Sequence, residues 1–476
     1  MIRKTVYFIL FLAAFPQGQS LFAQDAWNLE KCITYALDHN IRIRQQEINT
    51  RYNDNVLYQS KADLYPDLNA GGSYGASFGR ALDQTTYEFT QNQTVQSLNL
   101  SLNSSVTLFS GFQKVNTIRQ NEMNLQASLQ DLDKLKNDVS LNIAAAYLQI
   151  LLNKELLNVA NDQKKVTTSQ VDRTRALVDA GSVAMGTLLE MQSQEAADEV
   201  RVVNAQNNLD ISYLTLTQLL ELDSAGNFSI VIPEIPSVDE SALLLPVEDI
   251  YRQALANLPE IQSSRYQLKS SEKGLDIAKG SRSPRVGLSA SYGTGYSDIR
   301  QLVTGTTLDT TVIGYTTGGE NVFSTYNKTS MGPYPLKNQL KDNASTSVFL
   351  NVSMPIFSNF RINNNISNAK LMVENSKLDL ENQKKILYKQ IQQAYADANA
   401  ALKKYRSSEK AVASMQESFK YTKEKYEVGL VNAVDFNVAQ SQYITAQSDL
   451  LQSKYDYIFK TNILNFYMGL PIKLDF

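Results

Sequence analysis

Few residues in this sequence have the type and spacing that enzymatic chemistry requires. Gly75-Ala76-Ser77-Phe78-Gly79 matches the G-x-S-x-G pattern of a nucleophile elbow, in which a serine sits on a strand-to-helix turn. That elbow also needs a histidine after the serine, whereas the single histidine, His39, precedes it. Gly293-Thr294-Gly295 lacks the lysine of a phosphate-binding loop. We therefore expect a protein that is not an enzyme.

Metal and disulfide chemistry are equally poorly supported. The single cysteine, Cys32, cannot form a disulfide within the chain, and one histidine cannot supply the ligand clusters of zinc or iron sites. We expect Cys32 and His39 either to pack or to lie near the end of the first helix, without a functional role, and we expect no cofactor. The 45 basic and 48 acidic residues nearly balance, so the chain lacks the positive field that collects nucleic acid. We expect no nucleic-acid partner.

The first residues have the composition of a secretory signal peptide. Arg3 and Lys4 precede an unbroken apolar run from Val6 to Phe15, and Leu21-Phe22-Ala23 suits cleavage by signal peptidase. We therefore predict a signal peptide over residues 1–23. Because no later segment approaches about 18 consecutive apolar residues, the mature chain is expected in the periplasm, outside the cell, or in an outer membrane as strands.

The chain contains one internal duplication. Matching pairs separated by 218 or 248 residues include Ala36 with Ala254, Leu37 with Leu255, Pro66 with Pro284, Tyr147 with Tyr395, and Gly181 with Gly429. The change of shift places an insertion of about 30 residues in the second copy. We predict copies over residues 24–222 and 247–476, joined by a proline-containing linker over 223–246. The segment from Ser297 to Ala344, rich in Gly, Thr and Tyr, is predicted to be a long loop suited to surface exposure.

Within each copy the hydrophobic period changes from helical to strand and back. A helix is predicted from Leu29 to about Lys61. Two segments of each copy then alternate apolar residues with small polar ones, which predicts four strands of about ten residues. The polar face consists of Gly, Ser, Asn and Thr with almost no charge, and the strand length suits a membrane crossing. A half-buried sheet in a soluble domain is the alternative.

Very long helices follow each strand pair. A near-heptad seam after the first pair predicts a helix of some 68 residues, ~100 Å long, and a second helix that returns alongside it. The predicted helices run from Phe112 to Asp179, Thr187 to Leu222, Ile362 to Glu427, and Asp435 to Met468. The turns between them contain Gly181 in the first copy and Gly429 in the second.

This duplicated order of helix, two strands, long helix and returning helix resembles the TolC family of outer-membrane efflux channels. The most specific matching pieces are Trp27-Asn28-Leu29, Ala36–Asn40, the strand exits Leu108–Phe112 and Met354–Phe357, the tip Tyr426–Gly429, and Val434-Asp435-Phe436. The resemblance covers essentially the whole mature chain. It implies an α+β protein of the outer membrane, in which a homotrimer joins a 12-stranded β-barrel to a periplasmic α-helical barrel.

Trimer formation also agrees with the physics of the predicted strands. Four strands cannot close a barrel, since the smallest membrane barrels use about eight. Strand edges left open are intolerable in lipid, because their N–H and C=O groups have no partner there. If the strands lie in the outer-membrane lipid, several copies must therefore assemble.

The resemblance implies a passive exit duct that works with partner proteins. These partners are a periplasmic adaptor protein and an inner-membrane efflux transporter. The helix tips around Gly181 and Gly429 are predicted to dock the adaptor, because each lies at the end of a long helix away from the strands. Two alternatives remain: a type I secretion duct for polypeptides, and a coiled-coil structural or adhesive surface protein.

The resemblance further implies a periplasmic gate that contains Asp435 and Tyr426. Three Asp435 carboxylates around a threefold axis would attract cations and resist tight closure, while Tyr426 would help to hold the constriction closed. Alternatively, Asp435 is only the N-cap of the returning helix.

The sequence departs from the family pattern around this gate. Val438 replaces a second acidic residue, Val431 occupies a basic gate position, and Thr187 stands where the first copy could carry another acid. Thr187 with Glu190 instead predicts a capping box. We therefore expect the constriction to be less acidic and to be held by different bonds than in the best-known family members.

Overall fold

A computed structural model of the chain describes residues 26–80, 89, 93–223, 228–233 and 245–470. The predicted signal peptide lies outside these residues, as does most of the predicted linker. Within the described residues, no helix has an apolar stretch long enough to span a bilayer. The chain divides into two compact units, and each unit is built from segments of both sequence copies.

One unit, Thr50–Ser128 with Ser263–Leu380, contains a four-stranded antiparallel sheet. In spatial order, the strands are β1 (Asn69–Gly79), β2 (Gln93–Ser110), β3 (Arg285–Ser297) and β6 (Ser345–Ser353). The prediction of two strands in each copy is thus confirmed. Within the described part of the chain, the outer edges of β1 and β6 have no partner strand in this sheet.

The register of the sheet separates a small polar face from an apolar face. Ser101 pairs with Gly71 on one side and with Gly293 on the other, so all three lie on one face. Leu350 pairs with Leu288 on the opposite face. Leu350 remains 63% exposed, so in the single chain nothing covers most of this apolar side chain.

Phe349 is an exception to the predicted alternation. It pairs with Ser289 and therefore lies on the polar face, with 56% of its surface exposed. Its neighbours two residues away on the same face are Ser347 and Asn351. The polar face thus carries an aromatic ring that the predicted pattern of small polar residues does not include.

The segment predicted as a long loop forms regular structure. Strand β4 (Gln301–Tyr315) pairs with β5 (Asn321–Pro333), and the short helix α7 (Leu336–Asp342) follows. Buried Gln339 of α7 accepts a hydrogen bond from Ser297 N and donates one to Ser297 O, each at 3.0 Å. The loop prediction was wrong because β4 is rich in Thr and Val and β5 contains Val, Phe, Tyr and Thr, which are residues that favour strands without strict alternation.

The first helix of each copy is interrupted, contrary to the prediction of one continuous helix. In the first copy, α1 (Leu29–His39) ends before α2 (Ile41–Ala62) begins. Asn40 between them is extended, and its Oδ1 accepts hydrogen bonds from the N–H groups of residues 42 and 43. In the second copy, α5 (Val247–Asn257) is followed by α6 (Pro259–Gly280), whose initial proline disfavours helical geometry at the preceding residue.

Two long helical hairpins complete the fold. Helix α3 (Gln113–Asp179) returns as α4 (Met185–Leu219), and α8 (Arg361–Glu427) returns as α9 (Ala433–Tyr467). Every end of these helices lies within three residues of its predicted position. The near-heptad pattern therefore predicted these elements closely.

The core of the other unit, Met1–Asn49 with Leu129–Gln262 and Glu381–Phe476, surrounds Tyr147 of α3. Tyr147 is 1% exposed, and its single hydroxyl proton is donated to the nearer carbonyl oxygen, Val231 O at 2.5 Å, with Trp27 O at 3.2 Å beside it. Burial raises the pKa of this phenol well above its ordinary value, which keeps it a hydrogen-bond donor. The buried hydroxyl thereby satisfies the Val231 carbonyl, while the Trp27 carbonyl accepts the Val231 N–H at 3.0 Å.

Candidate gate and docking site at the helix tips

The turns between the long helices end both descending helices in the same way. After α3, Ser182 N donates to Leu177 O at 2.9 Å and Gly181 N to Val178 O at 2.8 Å. This pair of bonds is the Schellman motif, which requires a left-handed residue just beyond the helix. Gly181 supplies that residue with a φ of +69°.

The second turn repeats the motif. Leu430 N donates to Lys425 O at 2.8 Å, and Gly429 N donates to Tyr426 O at 3.1 Å. Gly429 has a φ of +80°, and a Cβ at either tip glycine would meet no other atom within 4 Å. Both predicted tip glycines therefore sit at turns whose outer side is open in this chain.

The start of α9 separates two roles that the sequence analysis left open for Asp435. Asn432 is the N-cap, since its Oδ1 accepts the Asp435 N–H at 2.8 Å. The interpretation of Asp435 as the N-cap was therefore wrong: the helix begins two residues earlier than predicted. Asp435 lies in the first turn with an exposed carboxylate, where the helix dipole favours negative charge.

The capping box predicted at the start of α4 was also wrong. The N-cap is Ala184, which makes no side-chain capping bond, and the helix begins at Met185. Thr187 lies inside the first turn, where its N–H donates to Ala184 O at 3.1 Å. A capping box requires the threonine itself to precede the helix, so the prediction failed by a shift of the helix start.

Tyr426 packs at the base of its turn. Its ring stacks on Phe436 with the ring centres 4.8 Å apart, and Phe436 is 1% exposed. Phe419 continues this aromatic contact, with its ring centre 5.5 Å from that of Phe436. Tyr426 is half-buried, so part of its surface is accessible next to the first turn of α9, which carries Asp435.

The two helical hairpins contact each other near their tips. Val171, Leu188 and Met191 of the first hairpin form one apolar cluster with Ala433 of the second, and Tyr426 packs against it. An ionic contact spans the same two hairpins. Arg173 Nη2 donates to the Glu427 carbonyl at 3.0 Å, and its guanidinium lies 4.0 Å from the Glu427 carboxylate.

The Arg173–Glu427 contact was not predicted, because its partners lie 254 positions apart and no local pattern connects them. A fully buried carboxylate, Asp198, was missed as well. It accepts hydrogen bonds from Gln163 at 3.1 Å, Thr167 at 2.6 Å, and Arg201 at 2.9 Å. Its position seven residues after buried Met191 was a usable signal, because heptad spacing puts both on one helix face.

The residues that the sequence analysis considered for chemistry lie inside a strand, in the core, or against a neighbouring ring. Ser77 lies inside β1 opposite Val95, away from any strand-to-helix turn, so the elbow geometry is absent there. Cys32 is buried, and this burial raises its pKa to about 12. His39 stacks on Tyr35, with ring centres 3.9 Å apart. The described residues contain no group of three or more side chains able to hold a metal ion.

The sequence matches the family described as outer membrane efflux protein over residues 32–221 and 250–470. It is 22% identical to the outer membrane protein TolC of Escherichia coli (strain K12), covering 84% of this chain and 74% of TolC. It is 21% identical to the alkaline protease secretion protein AprF of Pseudomonas aeruginosa, covering 87% of this chain and 79% of AprF.

The fold is also shared with a solved structure. The crystal structure of the outer membrane protein VceC from Vibrio cholerae superposes with a TM-score of 0.73 at 15% identity, covering 94% of this chain and 97% of VceC. The resemblance noted in the sequence is thereby confirmed at the level of family and fold.

Proposed function

This chain belongs to the outer membrane efflux protein family, and we propose that three copies of it assemble into one transmembrane β-barrel above one periplasmic helical tunnel. Family membership makes the chain an outer-membrane efflux channel. The finer assignment of a closed trimer that performs no chemistry is our proposal. The single observation that carries it is the four-stranded sheet, which has one small polar face, one apolar face and two open edges.

The open edges require other copies. Edge strands β1 and β6 would pair between neighbouring subunits, so three copies of four strands would form a barrel of twelve. The apolar face, with Leu288 and Leu350, would contact lipid, and the polar face, with Ser101 and Asn351, would line the water-filled lumen.

The helix tips are the proposed docking site for a periplasmic adaptor, which would connect the channel to an inner-membrane transporter. Open space around Gly181 and Gly429 supports this assignment, since another backbone could approach both turns closely. In the same region, Asp435 and Tyr426 are the proposed gate. The exposed Asp435 carboxylate supports this role, because it is free of the capping bond that Asn432 makes.

Detergent-solubilised protein tests the assembly. We expect a heat-resistant trimer by light scattering and discrete conductance steps in planar bilayers. A monomer in micelles that conducts no ions would contradict the proposal. Crosslinking in cells followed by identification of the co-purified proteins tests the adaptor and transporter.

A polypeptide exit duct is the second candidate, favoured by the similarity to a relative named as a protease secretion protein. The two functions differ in their partners and cargo. Deleting the gene for this chain should sensitise cells to small toxic compounds if it serves efflux. If the chain serves secretion, the deletion should instead leave a specific polypeptide inside the cells.

A further inference from the structure

The unit that contains the sheet has a cleft of about 530 Å³ where the polar face meets the start of α3. We name it the junction cleft and define it by six of its lining residues, Asp63, Thr107, Lys114, Arg285, Asn351 and Ser353. Its volume lies in the range of sites that hold small organic molecules, about 300–1,000 Å³.

Positive charge predominates in the junction cleft. Lys114 and Arg285 contribute two cations, whereas Asp63 is the single carboxylate among the described residues that line it. Asp63 Oδ1 already accepts a hydrogen bond from the Gln59 side chain at 2.7 Å. Lys114 Nζ donates to the Asp63 backbone carbonyl, which holds the ammonium group at the cleft wall.

The basic side chains are held in place by a chain of hydrogen bonds. Arg285 Nη2 donates to Gln113 Oε1 at 3.0 Å. The Gln113 amide in turn donates to Ile277 O at 3.0 Å and Ser281 Oγ at 2.8 Å on and beside α6. A guanidinium has five N–H groups in a planar fork, so Arg285 retains donors suited to a planar oxyanion.

The rest of the wall suits an amphipathic molecule. Thr107 and Ser353 add hydroxyl groups, while Ile277 of α6 offers apolar contact. Lys114 lies in the first turn of α3, whose free N–H groups add partial positive charge.

We propose that the junction cleft binds the oxyanion group of a transported organic anion, through Arg285 and Lys114. The carboxylate, sulfonate or phosphate would meet the two cations, and the apolar body would contact Ile277. This site rests on the proposed function, because only in the assembled channel would the polar face line the transport route. The cleft would then favour anionic over cationic compounds at the entrance to the barrel.

Fluorescence polarisation of sulfofluorescein tests the site in the full-length protein in nonionic detergent, with cationic rhodamine 6G as the comparison dye. We expect saturable binding of sulfofluorescein that is lost near 1 M NaCl, where the Debye length is about 3 Å. Arg285→Gln and Lys114→Gln should each weaken this binding by about tenfold. Asp63→Asn should tighten it. Rhodamine 6G binding should show neither the two losses nor this gain.

Arg282→Gln is the matched control. Arg282 is exposed, lies three residues before Arg285, and donates to Asn363 Oδ1 at 2.8 Å instead of lining the cleft. It should leave sulfofluorescein binding unchanged. The oligomeric state and melting temperature of each variant are first compared with those of the unaltered protein. Asp63→Asn is expected to increase binding, so this outcome cannot result from damage to the fold.

The inference is overturned if sulfofluorescein does not bind saturably, or if all four variants bind it equally. Conductance in planar bilayers is measured on the same preparations. If the protein conducts but binds no dye, anion binding in the junction cleft is refuted and the proposed channel function stands. If the protein does not conduct, the proposed function itself is refuted.

Discussion

At the turn before α9, helix capping and negative charge belong to different residues. Asn432 makes the capping bond, and Asp435 presents an exposed carboxylate in the first turn. Asp435→Asn therefore removes charge without removing the cap. If Asp435 lines the gate, we expect weaker cation selectivity and weaker block by trivalent cations in bilayer recordings. The lost interaction with the helix dipole should reduce stability by less than ~1 kcal/mol.

Asn432→Ala is the matched control for this substitution. Losing the N-cap should lower the free energy of unfolding by about 1 kcal/mol while leaving ion selectivity unchanged. If Asp435→Asn alters neither selectivity nor trivalent block, the gate lies elsewhere.

Cys32 behaves as a small core residue whose thiol stays protonated. Burial raises its pKa from 9.0 to about 12, so the folded state keeps a proton that the unfolded state releases. This contribution to stability is complete below pH 9 and is lost as pH rises toward 12. We expect Cys32→Ala to show a smaller loss of unfolding free energy over that interval, measured by urea titration at each pH.

Thiol labelling gives an independent measurement of the same burial. A maleimide should react with unfolded protein at neutral pH and leave the folded protein unlabelled, because the thiolate is the reactive form. Rapid labelling of the folded channel would contradict the buried position of Cys32.

Among the elements, β6 offers the sharpest test of which sheet face contacts lipid. Leu350 and Phe349 are adjacent apolar residues, yet the register puts them on opposite faces. Leu350→Arg should cost ~2–4 kcal/mol near the bilayer midplane and impair assembly. Phe349→Arg should be tolerated, since its side chain would project into the lumen. Heat-resistant trimer recovered from membranes is the measurement.

A second adjacent pair on β2 provides the control. Leu100→Arg should impair assembly as Leu350→Arg does, whereas Ser101→Arg should be accepted on the polar face. Equal recovery of trimer for substitutions on both faces would rule out the barrel arrangement.

At the scale of the whole molecule, we expect the helix tips to be required for export but not for assembly of the trimer. Gly181→Trp or Gly429→Trp adds a bulky ring at a turn whose outer side is open. We expect normal trimers in the membrane and loss of export, because the ring would obstruct the adaptor. Export assays and adaptor crosslinking measure the two effects.

Gly429→Ala separates backbone strain from obstruction. Both substitutions place a side chain at a φ of +80°, which L-residues adopt at a cost of roughly 1–2 kcal/mol. Only the tryptophan variant should lose export. Normal export with the adaptor still bound to the tryptophan variants would show that the docking site is elsewhere.

The repeated pattern was sufficient to predict most elements of this chain. Long helices and alternating strands leave local periodicities of about 3.6 and 2 residues, so α3 and α8 could be predicted near their observed bounds and the four strands of the sheet at their observed positions, although β2 is 18 residues long instead of about ten. Family membership followed from the order of these elements. The tip glycines followed too, because a left-handed residue after a long helix is a local requirement.

Tertiary structure decided what depends on neighbours distant in the chain. The contact of Arg173 with Glu427 and the cluster joining the two tips require knowledge of which helix faces meet. Asn432 was missed as the N-cap because α9 begins two residues earlier than predicted, and hydrophobic periodicity does not resolve a helix start that finely. The junction cleft likewise brings Asp63, Lys114 and Arg285 together from three separate segments. Periodicity records which face of an element is apolar, but the partner of that face is set only by long-range packing.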